Sequence, residues 1–392
     1  MSSRNTDTSG ISNASSSVPQ TRLGDSTSVT VLIRFTTTAS NPPTGKNGID
    51  PPLADGTDGS HTTADLMLAN LTKGGPRLDT LSPDATQMGV FEKYRDDIDT
   101  AIASGTHMTI IAYGTTGSGK TFTMTGPPSP PQSMGLARRI GHHILQQAKS
   151  RGVGLEALFV YRDKVYDLLH AKPLHEIDVR THEAKTRGGA SIKVFRAQAS
   201  TTVVKNQGEF EAALSRADKN KVVAATTQNS TGSSRGHTVL SLALEGTTTS
   251  CVLVDLAGSE KPQRRTGIDR NSKAEMQKNR LDDEGRFIRI QLMEFYKFVS
   301  GFAKSVNDGL IHARGSVLNQ ILTIPIVRSA RLHLICTISL KHEDMENASA
   351  TIDFARKYQK LRPIGIREAR KTLKEVRSIV PPPCADNMTA QG

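Results

Sequence analysis

Gly114-Thr115-Thr116-Gly117-Ser118-Gly119-Lys120-Thr121 satisfies every fixed position of the pattern G-x-x-x-x-G-K-[ST]. Ahead of it, Met108-Thr109-Ile110-Ile111-Ala112-Tyr113 is apolar and partly β-branched, the composition of a buried strand. Behind it, Phe122 and Met124 open an apolar helix face. Strand, glycine loop and helix in that order predict a loop that wraps phosphate oxygens. The glycines let backbone N–H groups and the positive end of the helix converge on the anion. The expectation is a nucleoside triphosphate site: residues 114–119 cradle the phosphates, Lys120 reaches the terminal ones and Thr121 offers its hydroxyl to Mg²⁺.

The 392 residues suit either two average domains or one large α/β domain with appendages. Composition favours the second. Residues 1–27 are dominated by Ser, Thr, Asn and Gly with few large apolar side chains, and residues 38–63 carry Asn41-Pro42-Pro43 and Asp50-Pro51-Pro52. Neither stretch buries enough apolar surface to offset the entropy of ordering it. The expected organisation is a disordered tail over 1–27, an ordered unit over 28–365 with a disordered insertion at 38–63, and a basic helix and Pro-rich tail over 366–392.

Cys251, Cys336 and Cys384 show no paired spacing and no Cys/His metal pattern, which suits reduced thiols in the cytosol. No apolar run approaches the length of a spanning helix and the N-terminus lacks the apolar core of a secretory signal, so a soluble intracellular chain with no membrane partner is expected. The formal charge of +12 points to an acidic partner surface or a polyanion. Basic residues concentrate in two places: Lys261 to Arg289, and Arg356 to Arg377. Aromatics make up 4% of the chain and tryptophan is absent, so stacking platforms for single-stranded nucleic acid are not evident and nucleic acid is not the expected partner.

Two downstream segments suit the terminal phosphate. Cys251-Val252-Leu253-Val254-Asp255 reads as an apolar strand that ends by placing a carboxylate at the sheet edge, where it holds Mg²⁺ through water, and Gly258 lets a backbone N–H approach the γ-phosphate. Asn229-Ser230-Thr231-Gly232-Ser233-Ser234-Arg235-Gly236-His237 is a hydroxyl-rich loop with one fixed positive charge, suited to Mg²⁺ and an attacking water. His237, beside a buried loop, reads as a structural residue.

Taken together, Ala112–Thr121, Ser233-Ser234-Arg235-Gly236-His237 and Asp255-Leu256-Ala257-Gly258-Ser259-Glu260 resemble the kinesin motor domain. Gln87–Phe91, Val165–Leu169, Asn220–Thr226 and Thr351–Ala355 extend the likeness, which runs from Val29 to about Lys360. The resemblance implies a P-loop NTPase-type three-layer α/β/α fold around a central mixed, mainly parallel β-sheet. It also implies ATP hydrolysis with Mg²⁺, microtubules (tubulin) as partner, and a cytoplasmic, cytoskeletal location. It assigns the lytic water and the metal to Ser233 and Ser234, and the metal's water shell to Asp255. Thr121 lies on the metal side, and Arg235 and Glu260 form an ion pair that closes the two loops once a γ-phosphate is present. The positions expected to carry catalysis are thus Ser233, Ser234, Arg235, Gly258 and Glu260.

Departures from that pattern are concentrated outside the phosphate site. Thr36 and Thr37 stand where the family has a second arginine and a proline against the adenine. The loop between Asn229 and Ser233 is one residue longer than usual. After Asp283-Glu284-Gly285, the run Ile288-Arg289-Ile290-Gln291-Leu292 lacks the family's Asn and Ser, and Ala313–Leu318 keeps Arg, Ser and Leu but not Tyr, Asp and Lys. Lys261, Arg264, Arg265, Lys273 and Lys278 keep the intervening loop basic. The alternative expectation is a non-motile, microtubule-binding regulatory protein that binds nucleotide without productive coupling. Residues 366–379 predict one basic amphipathic helix, too short for a dimerising coiled coil, so a monomer is expected.

Overall fold

Alternation along Ser28–Thr36 fixes how the first strand (β1) is used: Val31, Ile33 and Phe35 enter one apolar cluster and Leu32 the other, as the two-residue period of a strand requires. The computed structural model describes residues 28–36, 78–82, 84–148, 151–186, 191–228, 235–247, 249–260, 273–339, 345–361 and 366–367. After β1 come β2 (Asp79–Leu81), α1 (Gln87–Ser104), β3 (His107–Gly114), α2 (Lys120–Met124), α3 (Leu136–Gln147), β4 (Val153–Tyr161) and β5 (Lys164–Asp167). The chain continues through β6 (His175–Glu176), β7 (Val179–Thr186), β8 (Ser191–Ala197), β9 (Thr202–Val204), α4 (Gln207–Gln228), β10 (His237–Leu244) and β11 (Ser250–Asp255). It closes with α5 (Lys273–Lys304), α6 (Val306–Ala313), α7 (Val317–Arg328), β12 (Ser329–Ser339), α8 (Met345–Tyr358) and β13 (Ile366–Arg367).

The central sheet has the order β2-β1-β12-β3-β11-β10-β4-β5-β6, with β9 on β4. Neighbours from β2 to β11 are parallel, and the sheet turns antiparallel at β10. Helices cover both faces. Phe91, Ile144 and Phe210 of α1, α3 and α4 pack with Ile110 and Leu253, while Phe298, Leu322 and Phe354 of α5, α7 and α8 pack with Ile33, Ile111 and Val254. This is the expected three-layer α/β/α arrangement with a mixed sheet. Burial on both faces explains why the middle of β3 is continuously apolar rather than alternating.

Register brings the site together. Asp255 lies opposite Ala112, Thr337 opposite Gly114 and Thr36 opposite Ser339, so β1, β12, β3 and β11 end side by side at their carboxyl ends. That edge is where open α/β sheets bind ligands.

The expected basic helix does not begin at Ile366. Ile366–Arg367 is strand β13, paired antiparallel with Thr186 and Lys185 of β7 in a separate sheet of order β13-β7-β8. A β-branched residue opposite the free edge of β7 gains ladder hydrogen bonds that a lone helix start does not offer. Helix α5 also begins at Lys273, well before Asp283-Glu284-Gly285, because Lys273 to Asp282 contains neither glycine nor proline. The tail 1–27, the insertion 38–63 and residues 368–392 lie outside the described residues.

Candidate functional site: a phosphate loop with its facing strand end

Three glycines hold the loop in shape. Gly114 (φ +153°), Gly117 (φ +79°) and Gly119 (φ +92°) all occupy the backbone region that side chains disfavour. A Cβ on Gly114 would lie 2.3 Å from the Thr337 carbonyl oxygen, and one on Gly119 2.9 Å from the Thr36 methyl group. A Cβ on Gly117 would meet nothing within 4 Å, so the middle of the loop faces open space. Ser118, fully buried, donates to the Thr115 carbonyl at 2.7 Å and shares a 2.6 Å hydrogen bond with the Thr337 hydroxyl. Thr36 donates to the Ser118 carbonyl at 3.0 Å.

Lys120 opens α2 and is only 7% exposed. Its ammonium donates to the carbonyls of Gly114 (2.9 Å) and Thr115 (2.6 Å). Burial lowers its pKa, against the pull of the Asp255 and Glu260 carboxylates. The charge is therefore held inside the cradle, where an incoming phosphate gives it a stronger partner than two carbonyls.

Across from it, Asp255 ends β11. Its Oδ2 accepts from the Thr121 hydroxyl at 2.7 Å, and Lys221 Nζ of α4 stands 3.8 Å from the same oxygen. Oδ1 is buried and has no hydrogen-bond partner among the described residues. A buried, unpartnered carboxylate oxygen is costly, and a hydrated divalent cation relieves that cost. Thr121 and Asp255 therefore fit Mg²⁺ as one or two protein oxygens of a water-rich shell.

Residues 256–260 are parked on the loop. Leu256 N–H donates to the Ala112 carbonyl (3.3 Å) and Ser259 N–H to the Gly114 carbonyl (3.0 Å). Glu260 accepts from the Thr116 N–H at 2.8 Å and from the Thr116 hydroxyl at 2.6 Å. Burial raises the Glu260 carboxyl pKa, but the Thr116 bonds and the Lys120 charge outweigh it and leave it below the usual range. Gly258 lies between these contacts: a Cβ there would come within 2.1 Å of the Thr116 hydroxyl and 2.3 Å of Glu260 Oε2. Tyr113, stacked on Phe354, is pushed up to about 12 by burial despite a hydrogen bond with Ser259.

Arg235 is half-buried beside α5, its Nη1 3.6 Å from the position of a Cβ on Gly285. Among the described contacts Arg235 and Glu260 are not paired; the glutamate is on Thr116 instead. Ser233 and Ser234 lie outside the described residues, as do Asn229 to Gly232. Thr115, Thr116, Gly117, Ser118, Gly119, Lys120 and Thr121 come together with Asp255, Gly258 and Glu260. Thr337, Lys221 and Tyr113 join them without having been read from the sequence as site residues, and so does Thr36, which stood out only as a departure from the family. Thr36 and Thr337 carry no motif, and only the strand register puts them under the loop.

The family model described as "Kinesin motor domain" matches residues 78–361. The chain belongs to the kinesin motor domain family. Among its relatives, the kinesin-like protein KIN-1 of Oryza sativa subsp. japonica is 28% identical over 288 residues, 69% of this chain and 56% of that one. The kinesin heavy chain of Drosophila melanogaster is 28% identical over 289 residues, 70% of this chain and 28% of that one. The chain thus spans little more than half of one relative and under a third of the other. A solved structure described as that of a fast kinesin superimposes with a TM-score of 0.61 at 21% identity, covering 89% of this chain and 97% of that one, and shares its fold.

Proposed function

We propose that this kinesin-family chain is a Mg²⁺-dependent ATP hydrolase whose turnover is stimulated by microtubules, acting in the cytoplasm on the cytoskeleton. The observation that carries this reading is the pairing of Thr121 with Asp255 beneath an intact glycine loop, with Asp255 Oδ1 buried and unsatisfied. Bound there, Mg²⁺ would neutralise charge on the terminal phosphates. The chain's own groups do the rest by position. Loop N–H groups and Lys120 hold the phosphates, and Gly258 places a backbone N–H facing the terminal one. Glu260 moves from Thr116 to Arg235 as the two loops close. Ser233 and Ser234 are proposed to orient the lytic water.

For the filament, α5 offers a solvent-facing surface. Arg286, Arg289, Ile290 and Met293 line a shallow depression of about 240 Å³, and Ile290 and Met293 are exposed. Two guanidinium groups around apolar side chains suit an acidic protein surface. Steady-state ATP hydrolysis with and without polymerised tubulin tests the proposal. The expected result is several-fold stimulation, lost by at least about a hundredfold in Lys120→Ala. Turnover indifferent to filaments would reject the filament part, and turnover indifferent to Lys120→Ala would reject the site.

A further inference from the structure

His237 is fully buried, yet both of its ring nitrogens are used, and each points to a different element. Nδ1 accepts the N–H of Ala257 at 3.0 Å. A nitrogen that accepts from an amide carries no proton of its own, so the neutral ring holds its hydrogen on Nε2 and donates it to Gln291 Oε1 at 3.3 Å. Burial keeps the ring in this neutral form, with its pKa lowered to about 4. Gln291, itself 3% exposed, uses its amide nitrogen to donate to the carbonyl of Arg162 in the turn between β4 and β5. The Arg162 guanidinium in turn sits over the Phe287 ring, one helical turn before Gln291. The middle of α5 is therefore fastened at two points to the β4–β5 turn and, through one imidazole, to the backbone N–H of Ala257, the residue before Gly258.

We propose that His237 and Gln291 are positioning residues that couple the placement of α5 to the Ala257–Gly258 backbone facing the terminal phosphate. The inference rests on the nucleotide reading above and deepens it. Gly258 has no side chain through which to be steered, and its position is set by its flanking peptides. The bond from Ala257 N–H to His237 is a side-chain handle on the Leu256–Ala257 peptide, one residue ahead of them. A rotation or sliding of α5 moves Gln291, and the His237 ring either follows it or gives up one of two buried hydrogen bonds. Because an unsatisfied buried group is unfavourable, the two ends of the relay shift together.

The test uses the full chain and hydrogen–deuterium exchange with Mg²⁺ and the non-hydrolysable analogue AMP-PNP. In the wild-type chain, nucleotide should slow exchange in both 255–260 and 285–294, by roughly threefold or more in each. In Gln291→Met, of similar length but with no acceptor for the ring, the response at 255–260 should persist while that at 285–294 falls to within about 1.5-fold of no change. His237→Asn keeps an acceptor near the Ala257 amide but gives up the reach to Gln291. It should show the same split and carries the test if Gln291→Met does not fold. A purely structural role would weaken protection in both segments alike. Responses in both variants equal to wild type, or an α5 that ignores bound nucleotide in the wild-type chain, overturn the relay alone. Failure of the wild-type chain to bind AMP-PNP overturns the nucleotide reading and the relay with it.

Discussion

The phosphate loop and the segment facing it, Leu256–Glu260, are held by opposite means. The loop is closed mainly on itself and its strand: Ser118 and Lys120 bond to carbonyls of residues 114 and 115, and three glycines in unusual backbone regions leave no room for alternatives. The facing segment has two backbone bonds, Leu256 N–H to Ala112 and Ser259 N–H to Gly114, and adds borrowed side-chain contacts to them. Its glutamate bonds to Thr116 and its alanine N–H to His237, and Asp255 just ahead of it bonds to Thr121. A loop locked by its own backbone presents one shape to a ligand. A segment held by exchangeable side-chain bonds can take a second arrangement when a phosphate competes for the same donors. Rigidity on one side and exchangeability on the other are what a nucleotide switch requires.

The contrast can be broken most severely at Gly114. Gly114→Ala forces a methyl group onto the Thr337 carbonyl, and should cost roughly 2–4 kcal/mol of stability and abolish measurable nucleotide binding. Urea unfolding and titration with a fluorescent ATP analogue would check both.

Acid attacks the exchangeable side at His237 and the middle of the sheet at His333. His237 and His333 are fully buried, with burial lowering their pKa to about 4 and about 3. Both are far below the unfolded value of about 6.5, so between these limits the unfolded chain binds protons that the folded one refuses. Stability is thus full above about pH 6.5 and declines as pH falls towards 4, by about 2 kcal/mol per histidine at pH 5. Thermal midpoints between pH 7 and 5 should fall accordingly, and less steeply in His237→Asn. A flat profile would contradict the buried, neutral assignment.

Glu260→Gln sharpens the comparison. Removing the carboxylate frees Thr116 to meet a phosphate but leaves Arg235 without the acidic partner proposed for it when the loops close. ATP affinity should tighten by about threefold while turnover drops by at least about tenfold. Equilibrium binding and kcat measured on the same preparation separate the two effects. The smallest change is expected at Thr36→Val, which deletes the bond to the Ser118 carbonyl. It should cost about 1 kcal/mol of stability and loosen nucleotide binding by about twofold to fivefold.

The loop was legible in the sequence because its information is local: glycines, lysine and threonine at fixed spacing after an apolar strand. β3, β11 and the start of α2 followed from patterning of the same kind. Glu260 is different. Its motif marked it as important, but whether it reaches Arg235 or Thr116 depends on how two distant loops sit, which no spacing encodes. Lys221 lay inside a quoted segment, yet its approach to Asp255 arises only from the packing of α4. Gln291 was noticed as a departure from the family and not as a partner of His237, because a change of residue type does not reveal what the new side chain bonds to. β13 was misread for a related reason: the 3.6-residue pattern of Ile366, Leu373 and Val376 is real, but the free edge of β7 lies far away in the chain and offers Ile366 a better use.

That two-residue strand has a mechanical consequence. Beyond α8, the backbone at Ile366–Arg367 is stitched antiparallel onto the hairpin of β7 and β8. Tension on anything attached beyond Arg367 would reach that hairpin first, and the stitch would have to unzip before the pull arrived at α8.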